Sequence, residues 1–545
     1  MARSRRGSYR SVHMALRDVV AALRQWGGWP ARRRSGAVGN TEVADARRLA
    51  DAERAGGEVP DGCAWLDDRT VEDLELAAVF RAIDRTATPT GAQALWRWLV
   101  APAVRLDVIA ERERKLARLA AGPAMCDALH DTMTGQVESD APYLPRLLWE
   151  PAPRALRVAG FALLSGLVIS FGLLAVWWWP AVIFAGALFA ANVLIDDWSS
   201  IRVAWQAHAL SVLSQVLGTA QRALRTWRDD PRDDPRADPR ADAIATEVAA
   251  LVPLRKRIAW LTVKDPFSLA DMVRGGLLAR LLLLGWMLRA IERDRARIRR
   301  VVLWLGELDA LVSIARLRRA RGDARLPELY AGPARIDAQG IVHPAIADAI
   351  GNDVVIEGGL IVTGSNASGK STFLRALAIN AILAQSIHTT FGTWRASLLR
   401  TFAVMRTIDA PADGMSKYMV EVAAIGRLVG EAGGDVPALF VADEPFSGTN
   451  PALRVPIVVE VLEYLARGDL AVAATHDLDV AAQVGPRFGR GYFCEPDDGT
   501  FDRKLHPGVS PGSNALALLV RAGYPQALIA AVERRVRAPG SCPVS

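Results

Sequence analysis

The chain has 545 residues, enough for roughly two to four domains and a large core. Its 51% hydrophobic content is high for a purely soluble protein, and its net charge of +7 favours an anionic partner, either nucleic acid or a lipid surface. The four cysteines are far apart and form no C-x-x-C pair, which argues against a disulfide framework or a zinc site and for a reducing compartment.

The N-terminal half of the chain is predicted to be a tail followed by helices. Residues 1–60 are basic, then polar and small, and we expect a flexible tail; the segment 11–26 also fits a short amphipathic helix on anionic lipid, and both interpretations stay open. Helical periodicity dominates residues 61–330 and predicts a mostly α-helical domain. Within it, residues 229–242 repeat Pro, Asp and Arg, which predicts a solvated loop.

Residues 158–195 form a long segment without a charged side chain. As one helix this segment would be about 57 Å long, nearly twice a hydrocarbon core of about 30 Å. A Trp-Trp-Trp-Pro sequence at 177–180 divides it and predicts a two-helix transmembrane hairpin. Because arginines flank its outer ends, the positive-inside rule places the protein in the cytoplasmic (inner) membrane, with both termini and the C-terminal domain cytoplasmic. A buried hairpin in a soluble core is the alternative.

In residues 331–545 the sequence changes to short apolar runs typical of an α/β domain. The first candidate for a functional site in this domain is a glycine-rich loop. The segment 364–371 reads GSNASGKS and fits G-x-x-x-x-G-K-[ST]. An apolar strand pattern precedes it and an apolar helix pattern follows, so the helix N-terminus points its free amides at a bound phosphate. The residues predicted to bind nucleotide are Gly364, Ser365, Asn366, Ala367, Ser368, Gly369, Lys370, Ser371 and Thr372.

Two later strand patterns end in residues suited to phosphate chemistry. The apolar run 438–442 leads into Asp443 and Glu444, and the run 471–475 leads into His476. An aspartate at a strand tip near such a loop can hold Mg²⁺ with the loop's Ser371, and the next carboxylate can orient or deprotonate the attacking water. We therefore predict an ATP hydrolase that uses ATP and Mg²⁺. Its predicted catalytic residues are Lys370, Glu444 and His476, and its predicted metal ligands are Ser371 and Asp443.

Taken together, these motifs resemble the MutS ATPases of DNA mismatch repair. The resemblance lies in T-G-S-N-A-S-G-K-S-T-F-L-R from position 363, S-x-[FY]-M-V-E at 416–421, D-E-x-x-x-G-T at 443–449 and A-T-H at 474–476. It implies a MutS/ABC-like ATPase domain and a homodimer with composite sites. In that family the serine matching Ser416 reaches the γ-phosphate held by the other subunit.

The helical region also resembles the family's core and lever domain. Its matching segments are 74–76, 84–91 and 307–311, which occur in the family's order. The departures concern recognition of DNA: residues 1–60 leave no room for the family's mismatch-reading and connector domains, and the predicted hairpin stands where the family has its DNA clamp. The resemblance thus carries ATP chemistry and does not carry mismatch recognition.

The predicted fold class is an α/β P-loop NTPase domain, MutS/ABC-like, over residues 331–545, preceded by a mostly α-helical core/lever domain that carries a two-helix transmembrane hairpin. The predicted function is a membrane-anchored MutS-like ATPase that hydrolyses ATP at a dimer interface to move a lever, with DNA as its partner. An ATP-driven switch that acts on a protein or lipid partner at the membrane, without DNA recognition, stays open as the alternative. A transporter is disfavoured, because one hairpin per chain makes a poor translocation path.

Overall fold

The computed structural model describes nine stretches of the chain, which are residues 43–134, 144–150, 208–229, 239–262, 279–365, 368–405, 417–494, 502–510 and 523–536. Most of the predicted tail, the predicted hairpin at 158–195, most of the predicted loop at 229–242, and the residues Asn366, Ala367 and Ser416 lie outside them. Everything described below belongs to one unit, residues 41–545. The predicted domain boundaries at 60 and 330 remain predictions.

The described residues before position 321 are helical. The helices are α1 (Val43–Ala55), α2 (Asp68–Asp73), α3 (Leu76–Ile83), α4 (Pro89–Val100), α5 (Leu106–Ala121), α6 (Pro123–Met133), α7 (Leu144–Trp149), α8 (208–228), α9 (Pro239–Thr262) and α10 (Ala279–Ala320). Two of them begin at clear capping signals: Asp67 accepts a hydrogen bond from the amide of Thr70 at the start of α2, and Thr88 does the same for Gly91 at the start of α4. Side-chain acceptors at these positions satisfy amides that have no partner within the helix.

The long helix α10 organises this region. It has 42 residues, so it is about 63 Å long. It packs closely against α4 at two glycines: a Cβ atom added to Gly306 would lie 2.7 Å from the carbonyl oxygen of Thr90, and one added to Gly91 would lie 2.1 Å from Oδ2 of Asp309. Because any side chain at these positions would push the helices apart, glycine fixes the spacing of α4 and α10.

The C-terminal region alternates strands and helices. Its strands are β1 (Ala324–Arg325), β2 (Glu328–Tyr330), β3 (Ile336–Ile341), β4 (Asn352–Ile356), β5 (Gly359–Thr363), β6 (Thr390–Phe391), β7 (Thr393–Ser397), β8 (Arg400–Val404), β9 (Ala438–Asp443), β10 (Leu470–Ala474), β11 (Phe488–Phe493) and β12 (Leu505–Pro507). Its helices are α11 (Lys370–Ser386), α12 (Lys417–Glu431), α13 (Pro451–Leu465), α14 (Leu478–Gln483) and α15 (Gln526–Val536).

A six-stranded sheet, in the order β12-β11-β5-β10-β9-β8, forms the centre of this region. All neighbouring pairs are parallel except β11 and β12. β5 and β10 are fully buried, as expected for strands covered on both faces. Since parallel strands end at the same edge, the loops that follow β5, β9 and β10 lie together there. A smaller four-stranded sheet, β2-β7-β3-β4, and a β1-β6 pair accompany the large one.

The apolar residues of the sheet belong to two cores, one on each face. On one face Leu360 and Val362 pack with α11 and join the buried residues of the helical region in one continuous cluster. On the other face Ile361 and Phe440 pack with α12 and α13 in a second cluster. The helical region and the sheet therefore share one core. Because a close-packed core transmits strain, a displacement of the helical region would also shift the sheet.

None of the helices within the described residues is long and apolar enough to cross a lipid bilayer. Their apolar residues pack on protein instead: Leu213, Val216 and Leu217 of α8 are buried in the helical core, and α10 carries charged residues along its length. Charged side chains of that kind are costly in hydrocarbon. This finding contradicts the predicted fold class with a transmembrane hairpin and the predicted inner-membrane localisation. The membrane is therefore not kept as a partner.

Candidate functional site

The glycine-rich loop lies where the sequence placed it, between the end of β5 and the start of α11. Two of its glycines have left-handed backbone torsions, with φ of 142° at Gly364 and 117° at Gly369. A Cβ atom at Gly364 would also lie 2.9 Å from the carbonyl oxygen of Phe493 on β11. Glycine is thus required here by both torsion and space, and it lets the chain turn sharply from the strand into the N-terminus of α11.

Lys370, the first residue of α11, folds back under the loop. Its side chain is buried, and its ammonium group donates hydrogen bonds to the carbonyl oxygens of Gly364 at 2.7 Å and Ser365 at 2.8 Å. The hydroxyl of Ser368 also donates to the carbonyl oxygen of Ser365, at 2.8 Å. Burial lowers the pKa of Lys370, and the carboxylates of Glu444 and Asp443 partly oppose that shift. The loop is held in shape by its own lysine.

The two predicted metal ligands lie in contact. Asp443 ends β9, and Ser371 lies in the first turn of α11; the Ser371 hydroxyl donates a hydrogen bond to the Asp443 carboxylate. Burial raises the pKa of Asp443, and the bond from Ser371 opposes that rise. The described residues contain no group of three or more His, Cys, Asp or Glu side chains suited to a metal. A hydroxyl and one carboxylate are, however, a donor set that suits Mg²⁺ when phosphate oxygens supply further ligands.

Glu444 and His476 form a hydrogen-bonded pair at neighbouring strand tips. Oε2 of Glu444 lies 2.8 Å from Nδ1 of His476, and this bond raises the pKa of His476. The backbone of Glu444 is in the left-handed region, with φ of 52°, and its amide donates to the carbonyl oxygen of Ala474 at 2.9 Å. Its second oxygen, Oε1, is buried and has no hydrogen-bond partner among the described residues. A buried oxygen without a partner costs free energy unless a ligand or water completes it.

Residues that the sequence did not single out support this pair. Glu421 of α12 accepts hydrogen bonds from the hydroxyl of Ser447 at 2.8 Å and the amide of Gly448 at 3.0 Å, which fixes the loop after β9. Arg454 of α13 forms an ion pair with Asp477 at 2.7 Å, which fixes the loop after β10. Glu421 ends the S-x-[FY]-M-V-E segment, so a signal was present in the sequence, but no role for it could be read there. Asp477 follows His476 at the predicted strand tip, but no role for it could be read there, and Arg454 carried no signal.

The other predicted site residues are distributed less tightly. Thr372 lies in the first turn of α11 with its side chain exposed, and Ser365 lies in the loop with its hydroxyl buried and without a hydrogen-bond partner among the described residues. Asn366, Ala367 and Ser416 lie outside the described residues. The structure therefore brings together the loop, Lys370, Ser371, Asp443, Glu444 and His476.

Comparison with known proteins identifies the family of the C-terminal region. Residues 360–538 match the family described as MutS domain V. The chain is 32% identical over 180 residues to "DNA mismatch repair protein MutS 2" of Haloarcula marismortui, a match that covers 31% of this chain and 19% of that protein. It is 29% identical to "DNA mismatch repair protein MutS" of Natronomonas pharaonis, covering 43% and 28% of the two chains, and 27% identical to the protein of that name from Ruminiclostridium cellulolyticum, covering 44% and 29%.

These matches cover less than a third of the relatives' own length, between 19% and 29% in the three named here. They also correct the remaining part of the predicted fold class. The matched region is assigned to MutS domain V, and this assignment replaces the general P-loop NTPase class that the glycine loop suggested. The reason is that one loop motif is shared by many unrelated chains, whereas the family match extends over the strands and helices that follow it.

Proposed function

Because the chain is a member of the MutS family that carries MutS domain V, we propose that it binds and hydrolyses ATP at the glycine loop and the strand tips beside it. The observation that carries the proposal is the buried Oε1 of Glu444, which has no hydrogen-bond partner in the described part of the chain and lies beside the Ser371–Asp443 pair. A carboxylate with one oxygen held and the other free of protein partners, next to a donor set for Mg²⁺, suits a group that orients water.

The residues of the loop fit a nucleoside triphosphate. The N-terminus of α11 presents its free amides and the positive end of its dipole to the loop, and Lys370 supplies a compact cation at the same place. Its ammonium donates to two loop carbonyl oxygens, and the phosphate oxygens of a bound nucleotide would replace them as acceptors. Ser371 and Asp443 would hold Mg²⁺, which when bound neutralises charge that develops on the phosphate oxygens.

Glu444 activates the attacking water, and His476 holds Glu444 in place. Glu444 lies at the strand tip next to Asp443, where its free oxygen can accept a hydrogen bond from an attacking water and then its proton. His476 holds the other oxygen of Glu444 through Nδ1 and is half exposed, so its second ring nitrogen can face the bound phosphate. The bond between the two side chains keeps Glu444 in one orientation.

Assembly and partners extend the proposal. We propose a homodimer through the domain V surfaces, with Ser416 of each subunit completing the site of the other, and DNA as the partner of the whole protein. The relatives are named DNA mismatch repair proteins, and the net charge of +7 suits a phosphate backbone. Nucleotide-driven closing of the dimer would reach the helical region through the core it shares with the sheet.

ATP turnover by the purified full chain tests the site. We expect the Lys370→Ala variant to lose ATP binding and turnover, since it removes the buried cation beneath the loop. Lys256→Ala is the matched control, because Lys256 is exposed on α9 and far along the chain from the loop. A wild-type protein that neither binds nor hydrolyses ATP, or a Lys370→Ala variant that turns it over normally, would contradict the proposal.

DNA binding is tested separately with a duplex across a salt series. A protein that neutralises phosphates releases counterions, so its affinity must fall steeply as salt rises. Absence of binding even at low salt would remove DNA as the partner while leaving ATP hydrolysis intact, and would direct the search to a protein partner.

A further inference from the structure

The strand at the open edge of the large sheet, β8, is covered by the helical region. Within the described residues β8 is the last strand on this side, so its outward backbone groups have no neighbouring strand. Ala403 and Met405 are two residues apart, and their amides therefore point the same way, outward from the sheet. Buried amides without partners are costly, and edge strands usually have them covered.

The segment 67–75, which we call the α2–α3 junction, supplies the partners. The hydroxyl of Thr70 accepts the amide of Ala403 at 3.0 Å, and Oδ2 of Asp73 accepts the amide of Met405 at 3.0 Å. Both side chains are buried, Thr70 at 0% and Asp73 at 3% exposure. Two side chains of the helical region thus take the place of a neighbouring strand.

Arg427 of α12 completes the cover on the same edge. Its guanidinium donates to the carbonyl oxygen of Ala403 at 2.7 Å and forms an ion pair with Asp67 at 2.5 Å. Asp67 in turn accepts the hydroxyl of Thr70 at 2.7 Å. The junction, the edge strand and α12 are therefore tied by charge-assisted bonds that share partners.

The opposite side of the junction touches the helix that leaves the glycine loop. Arg375 of α11 donates to the carbonyl oxygen of Asp73 at 3.2 Å, and its guanidinium lies 3.7 Å from Glu75 Oε1. Glu75 has a left-handed φ of 52°, a torsion that non-glycine residues adopt only where their surroundings hold them there. One short segment of the helical region therefore contacts both α11 and β8.

The register of the sheet connects these contacts to the candidate site. Val404 of β8 pairs with Ala442 of β9, so Met405 lies alongside Asp443. On the other side, Arg375 lies one turn of α11 beyond Ser371. Ser371 thus lies one helical turn from Arg375, and Asp443 lies alongside Met405. The α2–α3 junction contacts both Arg375 and Met405.

We infer that the α2–α3 junction sets the distance between the start of α11 and the tip of β9, with Thr70 and Asp73 as positioning residues for the Ser371–Asp443 pair. This inference rests on the proposed function. It identifies the contact through which the helical region acts on Mg²⁺-dependent nucleotide binding: a shift of the junction separates the two ligands, while the loop amides and Lys370 remain on α11.

Two variants of Thr70 test the inference with a fluorescent, non-hydrolysable ATP analogue. Thr70→Val keeps the shape and removes the acceptor for Ala403, whereas Thr70→Ser keeps the hydroxyl. We expect Thr70→Val to lose most of the gain in affinity that Mg²⁺ confers, on the order of tenfold for a displacement of about 1 Å, and Thr70→Ser to retain it. Binding without Mg²⁺, which depends on the loop and Lys370, should stay at the wild-type level in both.

Two further variants keep the experiment decisive. Asp68→Asn is the control, because Asp68 lies on the same helix with its side chain 86% exposed. Arg375→Met tests the other side of the junction and should reproduce the loss, even if Thr70→Val fails to fold. Wild-type Mg²⁺ dependence in a folded Thr70→Val or in Arg375→Met would overturn the inference while the proposed function stands. A wild-type chain that binds no nucleotide would overturn the proposed function itself.

Discussion

Two carboxylate sites, one in each region of the molecule, differ in how completely their oxygens are bonded. In the helical region Asp309 of α10 is fully buried and accepts three hydrogen bonds, from the amides of Ala87 and Thr88 at 3.0 and 2.8 Å and from the hydroxyl of Thr88 at 2.7 Å. At the sheet edge Glu444 has one oxygen bonded to His476 and the other without a partner among the described residues. A buried carboxylate with both oxygens bonded holds helices together, whereas a carboxylate with one oxygen left without a partner at a strand tip suits the ligand of the proposed site.

Electrostatics separates the two sites in the same way. Burial raises the pKa of Asp309 to about 6 even though three hydrogen-bond donors oppose the rise. The charged form of Asp309 therefore lowers the stability of the contact between α4 and α10. Burial also raises the pKa of Asp443, and there the opposing bond comes from the predicted co-ligand Ser371. The first site fixes the contact between α4 and α10, and the second suits the Mg²⁺ of the proposed function, whose charge would stabilise the Asp443 carboxylate.

Replacing the incomplete carboxylate should have the largest effect on function. We expect Glu444→Gln to lower kcat for ATP hydrolysis by about 10² to 10⁴-fold, since an amide cannot accept a proton from water. ATP binding should persist, because the loop and Lys370 are untouched. Glu460→Gln, on an exposed position of α13, is the control for steady-state turnover and for nucleotide binding. Normal turnover by Glu444→Gln would place the catalytic base elsewhere.

Crowding the complete carboxylate should have the largest effect on stability. In Gly91→Ala the added Cβ would lie 2.1 Å from Oδ2 of Asp309, whose three bonds prevent it from moving aside. We expect the free energy of unfolding to fall by about 3 kcal/mol. Gly426→Ala is the matched control on α12, because nothing lies within 4 Å of its added Cβ. Denaturant titration of both variants distinguishes them, and equal stabilities would contradict the close approach of α4 and α10.

The pH dependence of stability should report Asp309. Its folded pKa of about 6 lies above the ordinary aspartate value of 3.8, so the folded state binds the extra proton between those values. Wild type should therefore lose stability, relative to Asp309→Asn, as pH rises from about 4 to about 6, by at most about 3 kcal/mol. The difference between the two proteins should be flat above that window. A difference that does not change with pH would show that Asp309 is not buried in its charged form.

The smallest effect concerns the titration of His476. Its bond to Glu444 raises its pKa, so Glu444→Gln should move that pKa back toward the ordinary value for histidine. Histidine proton resonances followed by NMR against pH measure the shift, and His476→Gln identifies the resonance among the seven histidines. An unchanged titration would mean that the two side chains do not pair in solution. Because His476 is half exposed, we expect little change in overall stability.

The sequence was informative where function depends on residues close together along the chain. The loop 364–371, the carboxylates after β9 and the histidine after β10 could be assigned before the fold was known, because parallel strands deliver their ends to one edge. The apolar segment 158–195 favoured a bilayer because it carries no charge, but it lies outside the described residues. The apolar residues of the described helices pack in the core that they share with the sheet. Hydropathy indicates that a segment avoids water, but it does not distinguish burial in lipid from burial in protein.

The sequence alone predicted which groups lie together for a phosphate, since glycine torsions, a helix N-terminus and a strand tip are properties of a few neighbouring residues. Tertiary structure alone decided which of those groups remain unsatisfied and what holds them. Thr88 meets Asp309 across 221 positions, and Thr70 meets Ala403 across 333. Contacts of that separation depend on how whole helices pack, and no local pattern encodes the packing of two distant segments.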